Sequence, residues 1–151
     1  MLSRVEKATA TFEEGYTCAQ AVFATYADLF GMDREMALKL SSPMGGGIGR
    51  MREVCGAVSA MALLAGLKDG NTDPGSEEGK EQIYLLTRQM ADKFKEQHGT
   101  IICRELLGLD GMEESAKPSE RNAQYYQERP CTRLVATAAR IVEEMLLEDM
   151  D

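Results

Sequence analysis

The sequence contains few of the residues and patterns that mark specialised protein classes. Its 151 residues include no tryptophan and no low-complexity tract, and the longest apolar stretch, Cys55 to Leu67, covers 13 residues. About 20 apolar residues are needed to cross a bilayer, so we expect no membrane insertion. The single histidine, His98, falls at a predicted helix end beside a glycine, so we expect no histidine-based metal or acid–base site.

Positive charge is also scarce. The chain has 17 Lys and Arg residues against 25 Asp and Glu residues, which gives a formal net charge of −8. Nucleic acids and anionic membrane surfaces favour clustered positive charge, so neither is an expected partner. Glu6, Glu13 and Glu14 interrupt the region where a secretory signal needs an apolar core. We therefore expect a cytoplasmic protein.

Apolar residues recur at helical spacing along most of the chain, and strand-like alternation and internal repeats are absent. Helices are predicted from Leu2 to Phe12, from Cys18 to Phe30 after a Thr17 cap, from the Asp33 cap to Ser41 or Ser42, from Met51 to Leu67, from Glu81 to Gln97, as a short turn at Cys103–Gly108, and from Pro130 through Leu146. Loops are predicted at Lys68–Gly79 and across the polar stretch Asp110–Asn122. The pattern predicts an all-α fold, with residues 1–151 forming one compact domain of about six or seven helices.

A glycine-rich segment, residues 44–50, separates two of these helices and leads into the most apolar one, which we expect to be central. Exposed backbone N–H groups in such a loop, with Arg50 and Arg52 nearby, could hold an anion, a cluster or a substrate carbonyl. The candidate cofactor-binding residues are Gly46, Gly47, Gly49 and Arg50. The alternative is that the glycines only allow helices to pack closely.

Four cysteines are spread along the chain without any Cys-x-x-Cys pair, which is the usual signature of zinc ribbons and thioredoxin-type dithiols. They are Cys18, Cys55, Cys103 and Cys131. Three of them fall at predicted helix starts, and Cys55 falls about one turn into the helix after the glycine loop. The N–H groups and partial positive charge at a helix start stabilise a thiolate, so lowered thiol pKa values are expected.

The cysteine order resembles that of the C-GCAxxG-C-C family, which is described as redox-active on the strength of four cysteines. The resemblance covers nearly the whole chain. It is carried by residues 16–22 (Tyr-Thr-Cys-Ala-Gln-Ala-Val), 45–50 (Gly-Gly-Gly-Ile-Gly-Arg), 54–59 (Val-Cys-Gly-Ala-Val-Ser), 103–108 (Cys-Arg-Glu-Leu-Leu-Gly) and Cys131. It implies that all four cysteines are site residues. One departure is Ala60, where the family pattern leads us to expect a glycine.

Three functions follow from these residues. The first is thiol–disulfide chemistry, as in an oxidoreductase, with a redox partner protein or a small thiol; two cysteines would react and the others would relay or resolve. The second is a metal-binding carrier or sensor, in which the same four cysteines ligate zinc or an iron–sulfur cluster. The third is a structural or interaction domain with inert thiols. The apolar helices could also support a homodimer.

Overall fold

The structure is a computed structural model that describes residues 2–109 and 115–150. Within these ranges the chain forms eight α-helices and two 3-10 helices, and its one β-bridge is the isolated pair Val54 and Ile102. The α-helices are α1 (Val5–Glu13), α2 (Cys18–Tyr26), α3 (Arg34–Ser41), α4 (Gly56–Asp69), α5 (Glu77–His98), α6 (Cys103–Leu106), α7 (Ala123–Glu128) and α8 (Cys131–Leu146); the 3-10 helices are Ala27–Phe30 and Ser42–Met44. The predicted all-α fold is confirmed.

Helix α4 lies at the centre of the fold, as its apolar sequence predicts. It packs against α2, α5 and α8. Small residues on α2 and α4, among them Ala21, Ala57 and Ala60, are fully buried, and larger side chains such as Phe23 and Leu64 fill the space around them. Small side chains let two helix backbones approach closely, so the first residues of α2 and α4 can lie side by side.

Local capping chemistry sets several helix boundaries where the sequence predicts them. Thr17 and Gln20 form a reciprocal capping box that starts α2 at Cys18. The Asp33 side chain accepts the Met36 N–H and starts α3. Helix α5 begins earlier than predicted, at Glu77, because the Ser76 hydroxyl accepts the Gly79 N–H at 2.9 Å.

The predicted start of the central helix was wrong. The helix begins at Gly56 and not at Met51, so Cys55 is its N-cap residue and does not lie one turn inside it. Arg52 adopts the left-handed conformation, with φ at 63°, which a continuous helix cannot accommodate. The segment then pairs with a later one: the Cys55 N–H donates to the Ile101 carbonyl at 2.8 Å, and the Cys103 N–H donates to the Glu53 carbonyl at 2.6 Å.

The polar stretch predicted at Asp110–Asn122 lies partly outside the described residues, which stop at residue 109 and resume at residue 115. Residues 115–122 contain no helix, and the short helix α7 that follows them was not predicted. The prediction of about six or seven helices is therefore low by at least one. No helix in the described ranges combines the length and the apolar character needed to cross a membrane.

Candidate active site

The fold brings all four cysteines to the wall of one cavity of about 50 Å³. Each cysteine stands at a helix start: Cys18, Cys103 and Cys131 are the first residues of α2, α6 and α8, and Cys55 caps α4. Cys55 and Cys103 are buried, whereas Cys18 and Cys131 are partly exposed, and none forms a disulfide. The rest of the wall consists of Phe12, Gly46, Arg52, Gly56, Leu106, Leu107, Tyr125 and Leu134. Thiols far apart in the sequence therefore share one small space.

The sulfur of Cys18 has the surroundings of a stabilised thiolate. It lies beside the Cys55 thiol and beside the backbone N–H groups of Ala57, Ala19 and Gly46. Hydrogen bonding from these groups outweighs the opposing effect of burial and lowers the pKa of Cys18 from 9.0 to about 7. The thiolate is the reactive form of cysteine, and Cys18 is the one of the four whose surroundings favour that form.

Gly56 explains why a glycine follows Cys55. A Cβ atom at position 56 would lie 2.8 Å from the Cys18 sulfur and 2.9 Å from the Met44 carbonyl oxygen. Without that atom, the first turn of α4 can come close enough for the Ala57 N–H to reach the sulfur. In the Cys-Gly-Ala sequence, Cys55 thus supplies a thiol, Gly56 leaves room for the Cys18 sulfur, and Ala57 supplies a backbone N–H donor.

The other three cysteines favour the protonated thiol. The hydrogen bond to Cys18 and then burial raise the pKa of Cys55 well above its usual value. Burial raises the pKa of Cys103, although the Arg52 guanidinium, with Nη1 3.7 Å from the sulfur, opposes this. Burial and the nearby cysteines raise the pKa of Cys131 to about 12. The expected lowering at helix starts is therefore not found for these three residues. Burial is the main cause at Cys103 and Cys131, and the hydrogen bond to Cys18 is the main cause at Cys55.

The four loop residues predicted to bind a cofactor separate into two places. Gly46 and Gly47 lie against the thiols: Gly46 donates its N–H to Cys18, and a Cβ at Gly47 would lie 2.7 Å from the Cβ of Cys103. Gly49 and Arg50 line a neighbouring cleft of about 390 Å³. There Arg50 donates to the Ser115 carbonyl at 2.8 Å and to the Ser119 hydroxyl at 2.9 Å.

Comparison with known proteins places this cysteine arrangement in a family. A family model described as "Putative redox-active protein (C_GCAxxG_C_C)" matches residues 16–145, a range that contains all four cysteines. The chain belongs to the C-GCAxxG-C-C family. This confirms the resemblance found in the sequence. Neither the curated proteins nor the solved structures gave a match.

The family name draws attention to Ala60, the position where this chain departs from the expected glycine. Ala60 is fully buried within α4. It does not belong to the described residues that line the four-cysteine cavity. The extra methyl group therefore affects helix packing and leaves the space around the sulfurs unchanged.

Sequence reasoning missed the residues that close the cavity on the side of α7. Arg121 stacks on Phe12 and Tyr125, with 4.6 Å and 5.0 Å from its guanidinium carbon to the ring centroids. It also donates to the carbonyls of Phe12 and Tyr16 at 3.2 Å and 3.1 Å. This holds Tyr125 at the cavity wall. In the sequence of this C-GCAxxG-C-C protein, the one sign of this closure is the pair of tyrosines at 125 and 126 inside a polar stretch.

The four sulfurs share the cavity without converging on one point. Across residues 2–109 and 115–150, no three Cys, His, Asp or Glu side chains are grouped closely enough to ligate a single metal ion. His98 lies elsewhere, with its ring nitrogen 2.9 Å from the Thr137 hydroxyl and its ring against Phe94. The opposed pKa shifts of Cys18 and Cys55 are the chemically distinctive feature of the site.

Proposed function

We propose that this protein performs thiol–disulfide chemistry in which Cys18 is the attacking thiolate and Cys55 is its disulfide partner. The observation that carries the proposal is the position of the Cys18 sulfur against the start of α4, only 2.8 Å from where a Cβ at Gly56 would stand, with Cys55 on the same cavity wall. The lowered pKa of Cys18 and the raised pKa of Cys55 support it. A thiolate held beside a protonated thiol is the arrangement of a dithiol ready for oxidation.

Each cycle transfers two electrons. When an oxidant leaves the Cys18 sulfur bonded to a leaving group, the Cys55 sulfur attacks it, the S–S bond forms, and the leaving group departs with the Cys55 proton. An external dithiol then attacks the disulfide and returns the two electrons. That attack would fall on a partly exposed residue, Cys18 or, after exchange, Cys131, because Cys55 is only 3% exposed. The reductant would be a redox partner protein or a small thiol, and a reducing cytoplasm supplies both classes.

Cys103 and Cys131 take a secondary part in this proposal. Both remain protonated thiols on the wall of the same cavity. Exchange with the Cys18–Cys55 disulfide would move the oxidised pair toward Cys131, which is the other partly exposed cysteine. The first oxidation event needs neither of them.

Counting free thiols tests the proposal. We expect the reduced protein to lose two of its four thiols on treatment with diamide, and the double variant Cys103→Ser/Cys131→Ser to lose both of its remaining thiols without forming a dimer. The matched variant Cys18→Ser/Cys55→Ser should lose none at the same concentration of oxidant. Equal thiol loss in the two double variants would contradict the proposal. So would one zinc or an iron–sulfur cluster per chain that blocks all four thiols, which would favour the metal-binding alternative.

A further inference from the structure

The cavity that the four cysteines line is small compared with most oxidants of dithiols. Its volume is about 50 Å³, whereas one water molecule occupies roughly 30 Å³ in the liquid and pockets for drug-sized ligands span roughly 300–1,000 Å³. A molecule of a few heavy atoms fits this space without displacing the wall. The cavity therefore favours a small oxidant.

A larger space lies next to the thiols but does not reach them. The neighbouring cleft of about 390 Å³ shares Gly46, Arg52 and Tyr125 with the cavity, and no cysteine belongs to its described lining. These three residues line both the wide cleft and the narrow cavity, which we call the reaction chamber.

We propose that the oxidant consumed at Cys18 is hydrogen peroxide, or a hydroperoxide of similar size, and that an external dithiol regenerates the site after exchange has passed the disulfide to the partly exposed Cys131. This inference rests on the proposed function and names its substrate class. Hydrogen peroxide has two heavy atoms, is uncharged, and needs no binding pocket beyond a space beside a thiolate. The chamber holds a thiolate, a second thiol and a positive charge, which are the groups that its reduction requires.

The step balances in atoms and electrons. The Cys18 thiolate attacks one peroxide oxygen; the S–O bond forms, the O–O bond breaks, and hydroxide leaves and takes a proton to become water. The Cys55 sulfur then attacks Cys18, the S–S bond forms, the S–O bond breaks, and a second water leaves with the Cys55 proton. The sum is two thiols and one peroxide giving one disulfide and two waters.

Two features of the chamber assist the leaving oxygen. Arg52 is 5% exposed and lines the chamber, so its guanidinium places positive charge where the departing oxygen becomes negative. The backbone N–H groups of Ala19, Gly46 and Ala57 fix the attacking sulfur, so that it need not reorganise before reaction. The apolar wall residues Phe12, Leu106 and Leu134 limit the water that could compete for these groups.

The test compares oxidants that differ in size. Reduced protein is mixed with equal concentrations of hydrogen peroxide, cumene hydroperoxide or glutathione disulfide, and thiol loss is followed in time. We expect hydrogen peroxide to react at least about tenfold faster than cumene hydroperoxide, because the larger molecule can enter the chamber only by displacing its wall residues. In the Cys55→Ser variant, dimedone should label Cys18, which would reveal the sulfenic acid. The Gly66→Ala variant, altered on the exposed part of α4, should react like the wild type.

The outcomes separate the two proposals. Equal rates for the two hydroperoxides, or no dimedone adduct at Cys18, would overturn the assignment of a small peroxide. If hydrogen peroxide does not oxidise the thiols while diamide still produces the Cys18–Cys55 disulfide, the peroxide inference is wrong and the proposed function stands. If no oxidant produces that disulfide, the proposed function is itself wrong.

Discussion

The side chains of Cys18 and Cys55 share a hydrogen bond that drives their acidities apart. It is the largest cause of the lowered pKa of Cys18, which falls to about 7, and also of the raised pKa of Cys55. A proton held by Cys55 therefore stabilises negative charge on Cys18. Between its two pKa values the pair carries one negative charge, and that charge resides on Cys18, the partly exposed residue of the two.

Removing the donor thiol should make Cys18 less acidic. In Cys55→Ala we expect the pKa of Cys18 to rise from about 7 toward its ordinary 9.0, because the largest stabilising contact is lost. Cys55→Ser keeps an O–H donor and should retain more of the lowering. The rate of Cys18 alkylation by iodoacetamide, measured against pH, reports the pKa. Superimposable profiles for the wild type and the alanine variant would show that the hydrogen bond has no such effect.

Gly56 should be intolerant of any side chain. We expect Gly56→Ala to destabilise the protein by about 1–3 kcal/mol, because the new Cβ would meet the Cys18 sulfur at 2.8 Å and a backbone carbonyl at 2.9 Å. It should also raise the pKa of Cys18 by moving the Ala57 N–H away. Urea unfolding measures the first effect and alkylation the second.

The matched control for Gly56 lies in the same helix. Gly66 has open space where a Cβ would stand, so Gly66→Ala should leave the pKa of Cys18 unchanged. Alanine is the better helix former by about 1 kcal/mol, so this variant should be as stable as the wild type or more stable. If both substitutions have the same effect, the close approach at Gly56 has no special role.

The glycine loop offers a second matched pair. Gly47 and Gly49 both have left-handed backbones, with φ at 74° and 57°, so alanine at either position costs about 1 kcal/mol or more. At Gly47 the Cβ would also lie 2.7 Å from the Cβ of Cys103 and 2.7 Å from the Glu53 nitrogen, whereas at Gly49 it meets only the end of Met51 at 3.8 Å. We expect Gly47→Ala to be the more destabilising by about 1–3 kcal/mol in urea unfolding. Equal losses of unfolding free energy in the two variants would show that the close approach of Gly47 to Cys103 has no effect on stability.

The sequence was enough to predict that three of the four cysteines stand at helix starts. Thr17 and Gln20 cap α2 through contacts within three residues, so the place of Cys18 at its first position could be predicted from the sequence. The short turn at Cys103 and the helix at Cys131 were also predicted at these residues, although neither helix has a side-chain cap. Helix starts that depend on neighbouring residues are therefore visible without a structure.

The start of α4 and the acidity of the thiols were not visible in this way. Cys55 caps α4 because residues 52–55 bond to residues 101–104, a contact between distant parts of the chain. The pKa values depend on how deeply each sulfur is buried and on which sulfur lies beside it. Both depend on tertiary packing, which neither helical periodicity nor cysteine spacing encodes.

Arg52 should influence Cys103 specifically. Its Nη1 lies 3.7 Å from the Cys103 sulfur, and its charge opposes the effect of burial on that thiol. We therefore expect Arg52→Met to raise the pKa of Cys103 further and to slow its alkylation, as measured by mass spectrometry of the labelled peptides. Arg88→Met, on the exposed face of α5, should leave the Cys103 labelling rate unchanged. Unchanged labelling of Cys103 in Arg52→Met would show that the guanidinium does not act on this sulfur.

The most direct measurement is the connectivity of the first disulfide to form. Reduced protein is oxidised briefly, the remaining thiols are blocked, and the digested peptides are mapped by mass spectrometry. The hydrogen bond between Cys18 and Cys55 predicts a Cys18–Cys55 linkage as the earliest product, with Cys103 and Cys131 still blocked as free thiols. An earliest linkage between Cys103 and Cys131, or four blocked thiols under conditions that oxidise free cysteine, would contradict the account.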